Sequence, residues 1–132
     1  MPRSRDLRRT GYVLVLVLLI GAAPARARDG DGDRREARVA ATCGKGATAQ
    51  LRLRSRDGEI RVELDVRRRR RGEAWRVVLV HERRLVWRAT LRARGSLRVR
   101  RSLEDLDGPD RVTARASGPR GLTCEATATL PA

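Results

Sequence analysis

The sequence predicts an all-β domain, an antiparallel sandwich of seven or eight short strands. Three observations predict it. Apolar residues recur with a period of two from Ala47 to Leu130, the mark of strands with one buried and one wet face. Turn signals rich in Gly, Pro, Asp and Ser interrupt that pattern every ~8 to 14 residues, the spacing of sandwiches and barrels. No helical period competes with them. The last stretch is the clearest: Leu122, Cys124, Ala126, Ala128 and Leu130 alternate with Thr123, Glu125, Thr127 and Thr129.

Ahead of the domain, Arg3, Arg5, Arg8 and Arg9 precede an apolar run over residues 12–20. Small residues follow, with A-x-A options ending at Ala25 and Ala27. That is the layout of a secretory signal peptide, and the run is shorter than the ~20 residues that span a bilayer. The expected organisation is a signal peptide over residues 1–27, a flexible charged tail over 28–38 and the β-domain over 39–132. Cleavage near Ala25 or Ala27 would leave a secreted, soluble, extracytoplasmic chain. Asp29, Asp31 and Asp33 have the spacing that opens a calcium loop, but Arg34 and Ala40 stand where that loop needs glycine and glutamate.

Within the domain, Ala47, Ala49, Leu51 and Leu53 share one face, and Ile60, Val62, Leu64 and Val66 another. Between them Ser55-Arg-Asp-Gly58 signals a hairpin turn. Pairing Arg54 with Glu59 would set Leu53 against Ile60 and Leu51 against Val62. Arg67, Arg68, Arg69, Arg70 and Arg71, closed by Gly72, cannot be buried and read as a loop. The near-continuous apolar run from Trp75 to Val80 reads as a central strand. His81 to Arg84 turn the chain into a strand carrying Leu85, Trp87, Ala89 and Leu91. Leu97 and Val99 mark the next strand, residues 103–109 a bend, and Val112, Ala114 and Ala116 another strand.

Export makes the compartment oxidising, so the two cysteines, Cys43 and Cys124, are expected to form a disulfide. It would close a loop of about 80 residues around an alanine-rich core, where such a tie matters more.

Leu103-x-x-Leu106-x-x-Pro109 followed by Val112-x-Ala114-x-Ala116 resembles the bend and strand near the end of fibronectin type III domains. The number of strands resembles immunoglobulin-like domains. These resemblances imply an immunoglobulin-like antiparallel β-sandwich. Val112 stands where the fibronectin type III family carries a corner tyrosine. Trp75 also lies farther from Cys43 than the antibody pattern requires. The bond is therefore expected to staple the beginning of the sheet to its last strand. The whole chain is similar to small exported bacterial proteins with no assigned activity. None of this bears on function.

No motif for nucleophilic, phosphate-loop or metalloprotease chemistry is present. His81, the single histidine, reads as a surface turn residue. Glu104, Asp105, Asp107 and Asp110 read as a solvated bend. Two cysteines and one histidine do not fill a four-ligand metal site. The expectation is a non-catalytic module, binding or structural, with no cofactor, no metal, no small-molecule substrate and an unidentified partner. Charge is the one sharp pointer: 31 basic residues against 16 acidic give a net +15, of which about +11 remains after residues 1–27. In an up-and-down strand order Arg67, Arg68, Arg69, Arg70 and Arg71 share one end with Arg92 and Arg94, opposite the turn at 81–84. Such a pole would hold anionic polymers (wall polymer, anionic lipid or nucleic acid) through fork-like contacts, without sequence preference and with strong salt dependence.

Overall fold

The structure, a computed structural model, describes residues 34–44, 46–68, 72–92 and 94–132. The expected signal peptide and residues 28–33 of the expected tail lie outside the described residues, as do Arg69, Arg70 and Arg71.

Eight strands form in chain order: β1 (Arg35–Cys43), β2 (Ala47–Arg56), β3 (Glu59–Arg68), β4 (Ala74–His81), β5 (Arg84–Arg92), β6 (Leu97–Glu104), β7 (Asp110–Ser117) and β8 (Thr123–Leu130). All pair antiparallel, in the spatial order β5-β4-β7-β8-β1-β2-β3-β6. The all-β expectation holds. The expected pair of separate sheets does not: one eight-stranded sheet curls into a nearly closed barrel. The reason lies in β1. Its residues from Arg35 to Ala41 pair with β2, and its last two, Thr42 and Cys43, pair with Glu125 and Cys124 of β8. One strand thus joins both halves. The barrel stays open between β5 and β6, the two ends of the strand order. There the guanidinium of Arg101 lies 4.3 Å from the ring centre of Trp87.

The two-residue period decides what is buried. Leu51, Leu53, Ile60, Val62, Leu64 and Val66 point inward from β2 and β3 and are almost wholly buried. Facing them, β7 and β8 contribute mostly alanines: Ala114, Ala116, Ala126 and Ala128. Small residues on one wall and branched ones on the other let the walls approach. Trp75, fully buried on β4, fills much of the remaining space. Its ring lies so close to Gly118 that a Cβ there would stand 2.6 Å from Trp75 Cε2.

Two expectations need correction. β1 begins at Arg35, so residues 35–38, assigned to the tail, belong to the sheet. In the first hairpin the register is Leu53 with Val62 and Leu51 with Leu64, two residues away from the expected one. Only Asp57 and Gly58 form the turn, both at positive φ (54° and 78°), the geometry of a two-residue hairpin loop that matches strand twist. The shorter loop lets Arg56 and Glu59 pair as well. A shift of two keeps the parity, so the same side chains still face inward.

Candidate functional site

Charge and buried polarity concentrate in two places. The first is the outer face of β1, β2, β3 and β6. Register lays its side chains out in rows: Glu36, Arg54, Arg61 and Ser102 in one, Arg38, Arg52, Glu63 and Arg100 in the next, Ala40, Gln50, Asp65 and Arg98 in the third. Six arginines thus share three carboxylates. Glu36 is contacted by Arg52 at 2.8 Å, Arg38 at 3.3 Å and Arg54 at 3.5 Å. The hydrogen bond from Arg52, with Arg38 beside it, holds the Glu36 carboxyl below its ordinary value. Asp65 takes Arg98 at 3.1 Å, and Glu63 takes Arg100 at 3.5 Å.

Arg61 is the exception. It sits directly opposite Arg54, and like charges in that position repel. Among the described residues no carboxylate pairs with it. Two shallow depressions meet on this face, and Arg54 and Arg61 line both. The arrangement offers planar N–H forks on a flat surface with surplus positive charge, which suits repeated anionic groups.

At the expected basic pole the run of arginines begins inside the sheet, because Arg67 and Arg68 are the last residues of β3 and not part of a loop. Ala74 pairs with Arg92, and Val66 with Leu97, so the end of β3, the ends of the β4–β5 hairpin and the start of β6 do meet at one pole. Arg67 and Arg94 are exposed there, and Arg92 donates to the carbonyl of Gly72 at 3.2 Å. Arg68 ends β3, paired with Ala47. The turn at 81–84 lies at the other pole. The face arginines were legible only as outward positions of alternating strands. Their assembly into rows needs the register, which the sequence does not state.

The second place is that other pole, where sequence reasoning misjudged two residues. His81, expected at the surface, is 6% exposed, and Asp110, expected in a solvated bend, is wholly buried. Both sit on inward parity: His81 continues Trp75, Val77 and Leu79, and Asp110 precedes Val112, Ala114 and Ala116. The period that placed the apolar residues extends to them, and polarity alone argued otherwise. His81 Nε2 and Asp110 Oδ1 lie 2.7 Å apart, and the Leu106 N–H donates to the same oxygen at 3.3 Å.

Beside this pair, Asp105 accepts from the Ser55 hydroxyl and from Arg35 Nη2, the latter at 2.6 Å. Arg35 also reaches the carbonyl of Pro131. The Ser55 hydrogen bond, then Asp110 and Arg35, lower the Asp105 carboxyl below its ordinary value against the opposing effect of burial. Ser55 is itself buried and bonds Asp105 rather than His81, so serine, histidine and aspartate do not form a nucleophile–base pair.

No protein-family model, curated protein or solved structure matches the chain. The disulfide is present: Cys43 and Cys124 are bonded, with Cα atoms 4.1 Å apart. It joins the first strand to the last, as expected, and is compatible with an extracytoplasmic setting. No helix among the described residues is long and apolar enough to cross a membrane.

Proposed function

We propose that this chain is an exported, non-catalytic β-module that binds anionic polymers across the outer face of β1, β2, β3 and β6. The observation that carries the reading is the Arg54–Arg61 pair: two opposed guanidinium groups, one without a carboxylate partner among the described residues, on a face where arginines outnumber acids. An incoming phosphate, sulfate or carboxylate would relieve that repulsion and take N–H forks from both strands. The extent of the face favours a polymer over a small ligand. Export rests on the basic, apolar and small-residue order of residues 1–27, which agrees with a structural disulfide.

We also read the fold as a relative of the immunoglobulin-like sandwich. The neighbours β4-β7-β8 follow the order of that fold's C, F and G strands, with β5 beside β4 as C′. The other half fits the same reading: β3, which precedes β4 as B precedes C, lies beside β6 in the place of E, with β2 as A and β1 as an added strand.

Heparin and polyphosphate binding of the full chain, titrated against salt, tests the function. Replacing Arg54 and Arg61 with serine is expected to weaken binding at least tenfold and to lower the slope of log K against log salt by about 1.5 to 2. Serine at Arg67, Arg92 and Arg94 is expected to cost less. Binding unchanged by the Arg54 and Arg61 substitutions would sink the reading.

A further inference from the structure

The geometry points to a divalent transition-metal site built from His81, Glu82 and Asp110, and we propose Zn²⁺ as the ion it takes. One ligand atom from each of the three residues falls within a set no wider than 4.8 Å. Ligand atoms of a tetrahedral ion at ~2.0–2.2 Å stand about 3.5 Å apart, so the set must draw in and the 2.7 Å hydrogen bond between His81 Nε2 and Asp110 Oδ1 must open to admit the ion. The site stands apart from the arginine face and does not depend on the polymer reading.

Three features of the fold bring these groups together. Glu82 and Arg83 form the β4–β5 turn, both at positive φ (46° and 67°). That tight turn leaves His81 as the last inward residue of β4 and sets Glu82 beside the start of β7. The Glu82 N–H donates to the Arg111 carbonyl at 3.1 Å, and the Arg111 N–H donates back to Glu82 Oε1. Asp110, the first residue of β7, then lies next to both.

Charge supplies the second, independent argument. Asp110 is wholly buried, and among the described residues no N–H donates to its Oδ2, while its carboxyl lies against that of Asp105. A buried carboxylate oxygen left unpaired is costly. Arg35 is spent on Asp105, Ser55 and Pro131, so Asp110 has no guanidinium of its own among the described residues. Glu82 has no ion pair among the described residues either. One buried carboxylate short of a partner and one exposed carboxylate beside an imidazole make a mixed N and O donor set, which suits Zn²⁺ better than Mg²⁺ or Ca²⁺, the cations of all-oxygen sites. Open positions would be filled by water. The competing arrangement is a proton held between the Asp105 and Asp110 carboxyls, which would leave the protein indifferent to metal.

The composition makes the test clean. His81 is the one histidine, and both cysteines are locked in the disulfide, so an untagged chain has no other nitrogen or sulfur ligand set. The experiment is calorimetric titration of chelator-stripped full chain with Zn²⁺, with Mg²⁺ and Ca²⁺ as controls. Expected is one Zn²⁺ per chain with Kd of ~10 μM or tighter and no comparable binding of the controls. Glu82 is exposed in its turn, so Glu82→Gln should fold normally and keep the Arg111 contact. It is expected to weaken Zn²⁺ at least tenfold with an unchanged metal-free Tm. Co²⁺ substitution should give a visible absorption band that Glu82→Gln alters. Absence of saturable Zn²⁺ binding up to ~1 mM, or equal affinity in Glu82→Gln, would overturn the proposal. The first result would favour the shared proton.

Discussion

Cys43 and Cys124 face each other across β1 and β8 at one of the only two residue pairs that join those strands. Everything from β8 round to β5 is attached to everything from β1 round to β6 through this short contact, the covalent bond and the inward packing. The disulfide therefore ties together halves that backbone pairing holds weakly.

Replacing both cysteines with alanine is accordingly expected to be expensive. The sequence separation is 81 residues, for which loop-closure entropy alone gives ~4.5 kcal/mol. Urea unfolding of the double variant should show a loss of that order. Amide exchange should rise first at residues 42–43 and 124–125, where ladder hydrogen bonds are fewest. A loss below ~1 kcal/mol would mean that core packing, and not the bond, holds the halves together.

Gly118 and Trp75 set a second expectation. Gly118 precedes the turn into β8, and Trp75 occupies the space its side chain would need, with a Cβ-to-ring distance of 2.6 Å. Both are constrained: the ring is wholly buried, and Gly118 is hydrogen-bonded by its N–H to the Leu122 carbonyl at 2.7 Å. Gly118→Ala must therefore displace one of them. Overpacking of this kind costs ~1–3 kcal/mol, and the shift should appear in tryptophan fluorescence as well as in Tm. An unchanged Tm would show that the ring moves freely.

Much of the barrel was legible because its determinant is local. Strict alternation in β2, β3, β7 and β8 fixes which residues point inward, and those residues are buried as expected. The same parity placed Cys124 inward and made its bond to Cys43 credible. Long-range relations were less legible. That β1 serves both halves depends on a change of partner after Ala41, which no residue there announces. The rows on the outer face depend on the two-residue Asp57-Gly58 turn, and a longer turn shifts each of them. His81 and Asp110 were misjudged for another reason. Their chemistry argues for solvent, and only the partner that each supplies to the other makes burial tolerable. A lone histidine and one acid of a turn cluster, 29 residues apart, carry no mark of that pairing.

Arg101 and Trp87 close the open side of the barrel without a backbone ladder. Arg101 has inward parity on β6, in step with Leu97 and Val99, yet it is exposed because the sheet ends there. Its guanidinium covers the Trp87 ring at 4.3 Å. At an exposed site such a contact contributes ~0.5–1 kcal/mol, so Arg101→Ala should lower stability by about that much. The sharper readout is local: amide exchange in β5 should accelerate while exchange in β2 and β3 stays unchanged. Equal acceleration throughout would show that Arg101 acts on global stability and not on the seam.

Asp105 gives the acid limit. Its folded carboxyl lies below the ordinary value, chiefly through Ser55 and then Asp110 and Arg35. A group whose pKa falls on folding adds stability that is complete above its unfolded pKa. That stability is lost as pH drops through the folded value. With an ordinary aspartate near 3.9, the contribution should be intact at neutral pH and decline from about pH 4 downward. Ser55→Ala removes the largest cause and leaves Arg35 in place, so its Tm should fall less steeply with acid than that of the native chain. At neutral pH the variant should also be less stable by ~1 to 3 kcal/mol, because a buried carboxylate loses a hydrogen bond. Thermal unfolding of both proteins from about pH 7 to pH 2 checks the two statements together. Parallel pH profiles would show that Ser55 does not set the acid response of Asp105.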